Sequence, residues 1–486
     1  MNDLARSRTG AALRLAALFL AGGALSLGAA GCATYSARIA DLRPQLAGGD
    51  FAGALATVED NTGGKDRLLY HLERGTVLHY ADRYAESNEA FALSEQLADD
   101  LYTKSVSEGA LSLITNDGSI SYRARPFEMA MVPYFKALNY IGLGEPAEAL
   151  VEARRAGEVQ ARYVEATLAA VREEDRGDLA RLRADPFLLY WSGLLYEWGR
   201  ETNNAFIAYR NAAVAYQELS GLLEVEIPAA LAGDLIRTGT RLGFGSELAE
   251  LRGSCPDVFA AAPDTAVGDR GSTGEVVLMI ESGYVPQKEQ VRFDFPVFVS
   301  EDYRDHDSWA WEYYGSRGNF QGMAGGRKIE YWISVAAPEL KDDRPEVVGG
   351  CRVSAGIAGS HAAGVKVANL AREARITFDA EKPSIFFKTI LRGLTKYLAS
   401  RQAKKSGGAV AGVLTNLFGA AIEKADTRSW LTLPESIRMV RLSLPPGTYD
   451  LEVEILDSRG HPFHTDRLPG VTVSAGGWTF LSRRVF

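Results

Sequence analysis

The chain has 486 residues, 46% of them apolar and 24% charged, with a formal charge of −9. These proportions exclude a disordered chain, a collagen-like chain and a disulfide-dense miniprotein. The acidic balance excludes a broad basic surface for nucleic acid. At roughly 100–200 residues per domain, two or three domains are expected.

Arg6, Arg8 and Arg14 open the chain, residues 15–27 are apolar, and Gly28, Ala29, Ala30 and Gly31 lead into Cys32. Charge, apolar core and small residues in that order predict a secretory signal over residues 1–31. The apolar core is too short and too rich in glycine for a membrane span. Small residues running straight into Cys resemble a bacterial lipobox, in which the thiol is acylated, with palmitate for instance, and the chain is cut before it. Ala29 stands where that pattern most often has Leu. The resemblance implies a lipid anchor at Cys32, and Ala33 behind it favours the outer membrane. Without residues 1–31 the balance is 50 basic to 61 acidic residues, so acyl chains rather than net charge would hold the body at a membrane.

Residues 32–255 read as an all-α domain, rich in Ala and poor in Pro. Three segments repeat one spacing of small and aromatic residues. The first has Gly75, Tyr84, Phe91 and Ser94. The second has Ala137, Tyr140, Gly144, Ala149, Ala153 and Ala156. The third has Gly193, Tyr196, Ala205, Tyr209 and Ala212. This spacing resembles the tetratricopeptide repeat (TPR), in which small side chains let paired helices touch and aromatics fill the gap to the next pair. The anchors at 75, 137 and 193 are too far apart for a regular array, so extra elements must separate the pairs. A stack of this kind implies a concave surface for peptides or proteins. Asn116-Asp117-Gly118 interrupts the pattern as a turn, and Pro126 suits the start of the next helix. Arg123 and Arg125 between them are candidates to pair with an acidic partner.

Residues 256–274, with Pro256, Pro263, Gly268, Gly271 and Gly274, read as a linker. Residues 275–486 read as an antiparallel, sandwich-like β domain, giving an α+β chain overall. Residues 276–280 form a short apolar run. Val291, Phe293, Phe295, Val297 and Val299 alternate as a half-buried strand, with Pro296 marking an edge or a bulge. Ile329 to Val335 and Tyr449 to Ile455 alternate as well. Val471 and Val473, the Gly476-Gly477 turn, Trp478 and Phe480 predict a closing hairpin. A helical insert is expected over 384–424. There Ile385, Phe386, Ile390, Leu394 and Leu398 lie at helical spacing beside Lys388, Arg392, Lys396, Arg401, Lys404 and Lys405, and residues 407–422 are uncharged. It is read as a hairpin on the sheet, with membrane contact or oligomer contact as alternatives.

Cys255 and Cys351 remain after Cys32, and an oxidising envelope allows a disulfide between them or leaves two buried thiols. Metal is not expected, because neither Cys has a CxxC partner. Residues 301–307 hold four carboxylates and His306 without a defined ligand spacing, and Trp309, Trp311, Tyr313 and Tyr314 follow as core or as a glycan platform. His461, His464 and Ser360-His361 complete no catalytic constellation, so neither a catalytic residue nor a cofactor is assigned.

Four segments carry a further resemblance: Leu101-Tyr-Thr-Lys-Ser-Val106, Leu113-Ile-Thr-Asn-Asp117, Tyr134-Phe-Lys-Ala-Leu-Asn-Tyr140 with Ala149-Leu-Val-Glu-Ala-Arg154, and Ala425-Asp-Thr-Arg-Ser-Trp-Leu-Thr-Leu-Pro434. In these the chain resembles an uncharacterised family of bacterial outer-membrane lipoproteins with TPR-like repeats. The resemblance implies a lipid-anchored envelope scaffold facing the periplasm. Its partner would be an envelope protein, with lipoproteins of outer-membrane secretion channels among the candidates. Asp426, Arg428 and Trp430 in the last segment are either an interaction site or a structural corner.

Overall fold

The computed structural model describes residues 34–103, 120–260, 270–298, 329–341, 346–356, 360–407 and 424–486. Cys32 and the leader, the turn at Asn116–Gly118, residues 301–314 and residues 408–423 lie outside the described residues.

The amino-terminal half is helical. Three short helices, α1 (Tyr35–Arg38), α2 (Leu42–Ala47) and α3 (Phe51–Glu59), precede three helix pairs. These are α4 (Arg67–Tyr80) with α5 (Tyr84–Thr103), α6 (Pro126–Gly142) with α7 (Pro146–Ala170), and α8 (Pro186–Trp198) with α9 (Thr202–Leu223). Three further helices follow: α10 (Ala229–Leu242), α11 (Gly245–Ser254) and α12 (Pro256–Ala260). Proline opens α6, α7 and α8, where its fixed φ suits the first turn and its missing N–H costs nothing. Asp185 caps α8 by accepting from Leu188 N at 2.8 Å.

Within two pairs the helices meet at a glycine. A Cβ on Gly75 would lie 2.7 Å from the Phe91 ring, and one on Gly193 would overlap the Tyr209 ring. Ala137, Ala149 and Ala205 are buried at the matching contacts, and Tyr140 and Tyr196 are half-buried. Tyr84 differs: its ring lies under Gly142 of the next pair. Gly144 is not a packing position. Its φ of +73° makes the turn from α6 to α7, with open space around it.

The carboxyl-terminal half holds two four-stranded sheets and a ribbon. The central sheet has the order β10 (Trp478–Val485), β1 (Gly274–Ser282), β7 (Ser436–Leu444), β6 (Val365–Asn369). The outer sheet has the order β5 (His361–Ala363), β4 (Gly350–Ser354), β8 (Gly447–Leu456), β9 (Pro462–Val473). β2 (Lys288–Phe298) and β3 (Ile329–Leu340) pair as a separate antiparallel ribbon, whose register shifts at Val297/Phe298 beside Pro296. The ribbon packs on α13 (Leu370–Gly407).

The central sheet is covered on both faces, so β1 is buried along its whole length. Side chains alternate between two cores. Val277, Met279, Ile437 and Met439 join the core of the helical half. Val276, Leu278, Ile280, Val440 and Leu442 join Val353, Leu451, Val453 and Ile455 of the outer sheet. The molecule is therefore three layers, helices on sheet on sheet.

Several expectations change. The residues read as a linker over 256–274 begin with α12, whose Val258 is buried, and the two halves share one core across the central sheet. The closing hairpin does not form. β10 leaves β9 and pairs parallel with β1, because Gly476 N binds Thr273 O at 2.8 Å and Glu275 N binds Gly477 O at 2.9 Å. The strand's aromatic face drives the switch: Phe480 packs on Trp191 and Trp198 of α8. The helix read from 384 begins at Leu370, and Leu370, Ala374 and Ala380 plug the shared core before Pro383 is reached.

The Cys255–Cys351 disulfide is not formed; both thiols are free and buried. Cys255 lies in the helical core and Cys351 in the core between the sheets, with the central sheet separating them. Cys351 also packs directly on Gly364, where a Cβ would collide with its Sγ.

Candidate functional site

Among the described residues, three polar junctions that use the first helix of a pair fasten the helices to the carboxyl-terminal half. The largest grips the loop segment 425–434. Glu73 of α4 accepts from Leu431 N at 2.7 Å, Thr432 N at 3.2 Å and Thr432 Oγ1 at 2.5 Å. Glu128 of α6 accepts from Trp430 N at 2.8 Å and, as the third residue of its helix, from Arg125 N at 2.7 Å. Trp430 Nε1 donates to Thr76 Oγ1 at 3.0 Å, while its ring, fully buried, tilts against Phe91 and Phe135. Arg43 donates to Leu431 O at 2.8 Å and to Val285 O at 3.0 Å.

Arg428 lies at the centre and is 5% exposed. It binds Asp426 through Nε and Nη2 at 2.8 and 2.7 Å, and Asp66 through Nη1 at 3.0 Å. Nη1 also donates to Ile120 O at 3.0 Å, and the guanidinium lies 5.6 Å from the Tyr122 ring centre. The paired Asp426 is held below the usual carboxylate range: burial raises its pKa, and the Arg428 hydrogen bonds and charge outweigh that effect. Glu73 has no cation in hydrogen-bond contact, so burial pushes it up to about 7 against its own hydrogen bonds. Lys288, half-buried beside the same site, falls to about 8 because its ammonium loses water there and is repelled by Arg125.

The second junction is Arg441 of β7. It pairs with Asp234 of α10 at 2.5 Å and with Glu275 of β1 at 2.9 Å, and it donates to Tyr190 Oη at 2.7 Å. At the third, Glu281 of β1 accepts from Tyr80 Oη at 2.7 Å and Tyr134 Oη at 2.8 Å. A buried acid pair adds to these. Asp185 and Glu373 of α13 share a hydrogen bond, and burial raises both, Asp185 to about 6.

The residues named from the sequence as an interaction site thus divide. Arg428 and Trp430 are internal and Asp426 is half-buried, and no external partner reaches Arg428 or Trp430 without unfolding the segment. Arg125 is half-buried and pairs with Glu381 of α13 at 2.8 Å. Arg123 is half-buried beside it. Their acidic counterparts, Asp66, Glu73, Glu128 and Glu281, carry no motif. Each carboxylate nevertheless falls within an apolar face at helical or strand spacing, as Glu73 does among Leu69, Leu72 and Thr76. A carboxylate on a core-facing stripe is the signal that identifies them.

The arrangement positions backbone and charge rather than reacting atoms. Among the described residues no group of three His, Cys, Asp or Glu side chains is placed to hold a metal ion. His461 is exposed beside Asp457 at 3.7 Å. Among the described residues, α13 exposes Phe387, Ile390, Leu394 and Leu398, and the neighbouring ribbon exposes Phe293 and Phe295. The chain matches no protein-family model, no curated protein and no solved structure.

Proposed function

We propose that the chain is a lipid-anchored envelope scaffold of the outer membrane, held through an acylated Cys32 and carrying TPR-like helix pairs that bind an envelope protein without catalysis. One observation carries the repeat reading. In α4–α5 and in α8–α9 a glycine meets an aromatic ring sixteen residues further on, which is the close approach that a repeat of paired helices needs. The inner face of the pairs is filled by the chain's own sheet and by segment 425–434. The partner surface is therefore the outer face formed by α5, α7 and α9, where Leu93, Val151, Ile207 and Val214 are exposed.

The test is photocrosslinking in intact cells from residues placed at Ile207 and Val214, with Cys32→Ala as the comparison. A discrete envelope protein captured from the outer face, and depleted in the Cys32→Ala variant, supports the scaffold. Capture that is identical with and without Cys32, or none above background, overturns it. A secretion or assembly accessory is the second reading. A glycan binder or hydrolase acting through residues 301–314 is the third, and binding to purified peptidoglycan would favour it.

A further inference from the structure

Asp185 and Glu373 meet where α13 docks on the helical half. Asp185 ends the connection from α7 to α8, and Glu373 lies in the first turn of α13. They are 7% and 4% exposed, and a side-chain hydrogen bond joins them. Ionised carboxylates only accept hydrogen bonds, so this one requires a proton between the two groups. Asp185 already accepts from Leu188 N at 2.8 Å as the cap of α8, which suits its charged form. The proton therefore sits on Glu373, which donates to Asp185. Gln160 of α7, 1% exposed, closes the site by bonding Glu373 and by donating to Leu182 O at 3.0 Å. Leu370, Ala374 and Ile376, around Glu373 on α13, are buried in the shared core.

The buried acids Asp66, Asp234, Glu275 and Asp426 each face an arginine. Among the described residues no cation does this for Asp185 or Glu373. The basic groups on the elements around them are committed elsewhere. Arg372 of α13 donates to Leu222 O at 2.9 Å and pairs with Glu224 at 3.5 Å. Arg375 lies about 200° round the helix from Glu373. In the connection before α8, Arg172 pairs with Asp175 at 2.7 Å and Arg176 donates to Leu168 O at 3.1 Å. Arg181 donates to Glu218 O at 2.8 Å, and Arg183 pairs with Glu165. Lys366 of β6 pairs with Glu346 at 3.0 Å, and Arg125 of α6 with Glu381, further along α13, at 2.8 Å. Tyr216 of α9 faces Asp185, and burial together with that charge keeps its phenol protonated. With no cation to replace it, the Glu373 proton is what makes the contact between the two acids attractive.

We infer that this pair is a proton-operated latch: the first turns of α13 stay on the start of α8 while Glu373 holds its proton, and lift from it as rising pH removes that proton. Lifting exposes Glu373 to water, where a glutamate ionises near 4.5, so opening releases a proton. The open fraction then rises about tenfold per pH unit until the closed pair itself ionises. The sign follows from burial, which holds the closed Glu373 well above 4.5. The latch is independent of the scaffold reading: it holds whether or not the outer helices bind a protein.

The test is hydrogen exchange of the full chain, followed by mass spectrometry between pH 6 and 9, with rates expressed as protection relative to the free peptide. Residues 370–380 report the latch, and β1 serves as the internal reference. Protection of 370–380 should fall about tenfold per pH unit from about pH 6, more steeply than that of β1. Glu373→Gln keeps a donor for Asp185 but cannot ionise, so it should hold the protection of 370–380 level with pH at an unchanged circular dichroism spectrum. Asp185→Asn takes away the like charge, so its fall should end at a lower pH and be smaller in total. Constant protection in the parent chain, a fall shared equally by β1, or an undiminished fall in either variant overturns the inference.

Discussion

Replacing Arg428 by Ala tests whether segment 425–434 is a structural clasp. The side chain is 5% exposed and, among the described residues, donates to Asp426 twice, to Asp66 and to Ile120 O. Removing one partner of a buried ion pair costs about 3–5 kcal/mol, because the remaining charge stays desolvated. Two features place this case near the lower end. Asp66 keeps Arg38 at 2.5 Å, and the Asp426 side chain retains 25% exposure, so water relieves part of its loss. The expected cost is about 3 kcal/mol. Arg428→Lys keeps the charge and loses the planar fork, so it should cost about 1–2 kcal/mol. Combining Arg428→Met with Asp66→Asn and Asp426→Asn removes the charges together and should recover most of the loss. Urea unfolding followed by tryptophan fluorescence and far-UV circular dichroism gives each value from the shift in midpoint at constant slope. An Arg428→Ala variant within about 0.5 kcal/mol of its parent would show that these acids are hydrated, and the clasp would not be holding the halves together.

Gly193→Ala should destabilise by about 1–3 kcal/mol, since its methyl meets the Tyr209 ring; the same change at Gly144 should act through its positive φ alone, by about 1 kcal/mol, in the same unfolding assay. The raised acids should lower stability as pH rises from about 5 to about 8, against an opposing rise up to about 6.5 from His71, whose imidazole burial pushes down to about 4. Glu73 has its ordinary value of 4.5 when unfolded and about 7 when folded, so the folded state retains a proton that the unfolded state has lost. Its contribution is full below 4.5 and is lost as pH rises through about 7, a span of at most about 3 kcal/mol. Asp185 and Glu373 act in the same direction, and Glu373→Gln should flatten the melting-temperature profile over this window. A profile unchanged by Glu373→Gln would remove the pair from the account. Cys255 and Cys351 should react with maleimide only after denaturation, and a reductant should leave the melting temperature unchanged; a shift under reductant would mean that the two are bonded. Fluorescence and circular dichroism should report one transition, because the halves share a core.

Local chemistry made much of the fold legible. Pro126, Pro146 and Pro186 mark helix starts because a ring-locked φ and a missing donor cost least in the first turn. The sixteen-residue step from Gly75 to Phe91 and from Gly193 to Tyr209 is readable because close helix contact admits no Cβ. Alternation along β8 marks a strand with one face in the core. The apolar run of β1 was equally plain in the sequence, but its meaning was not: a strand without alternation is buried on both faces, and only the packing shows that two different layers cover it.

The sequence by itself determined what each residue can do within a few positions of its neighbours: helix starts, glycine contacts, strand alternation, and the basic apolar run of α13. The tertiary structure decided what distant residues do to one another. Trp478 and Phe480 read as the second arm of a hairpin, yet burial against Trp191 and Trp198 takes that strand to the central sheet, parallel to β1. Asp426, Arg428 and Trp430 read equally well as a surface site or a corner. Asp66, Glu73 and Glu128, between 302 and 362 residues away in sequence, tie that segment into the interior. Cys255 and Cys351, which sequence alone leaves open to bonding, are kept apart by the sheet between them. Periodicity and turn chemistry act over short stretches of chain. Burial and charge pairing depend on which segments meet, and that is fixed only when the whole chain packs.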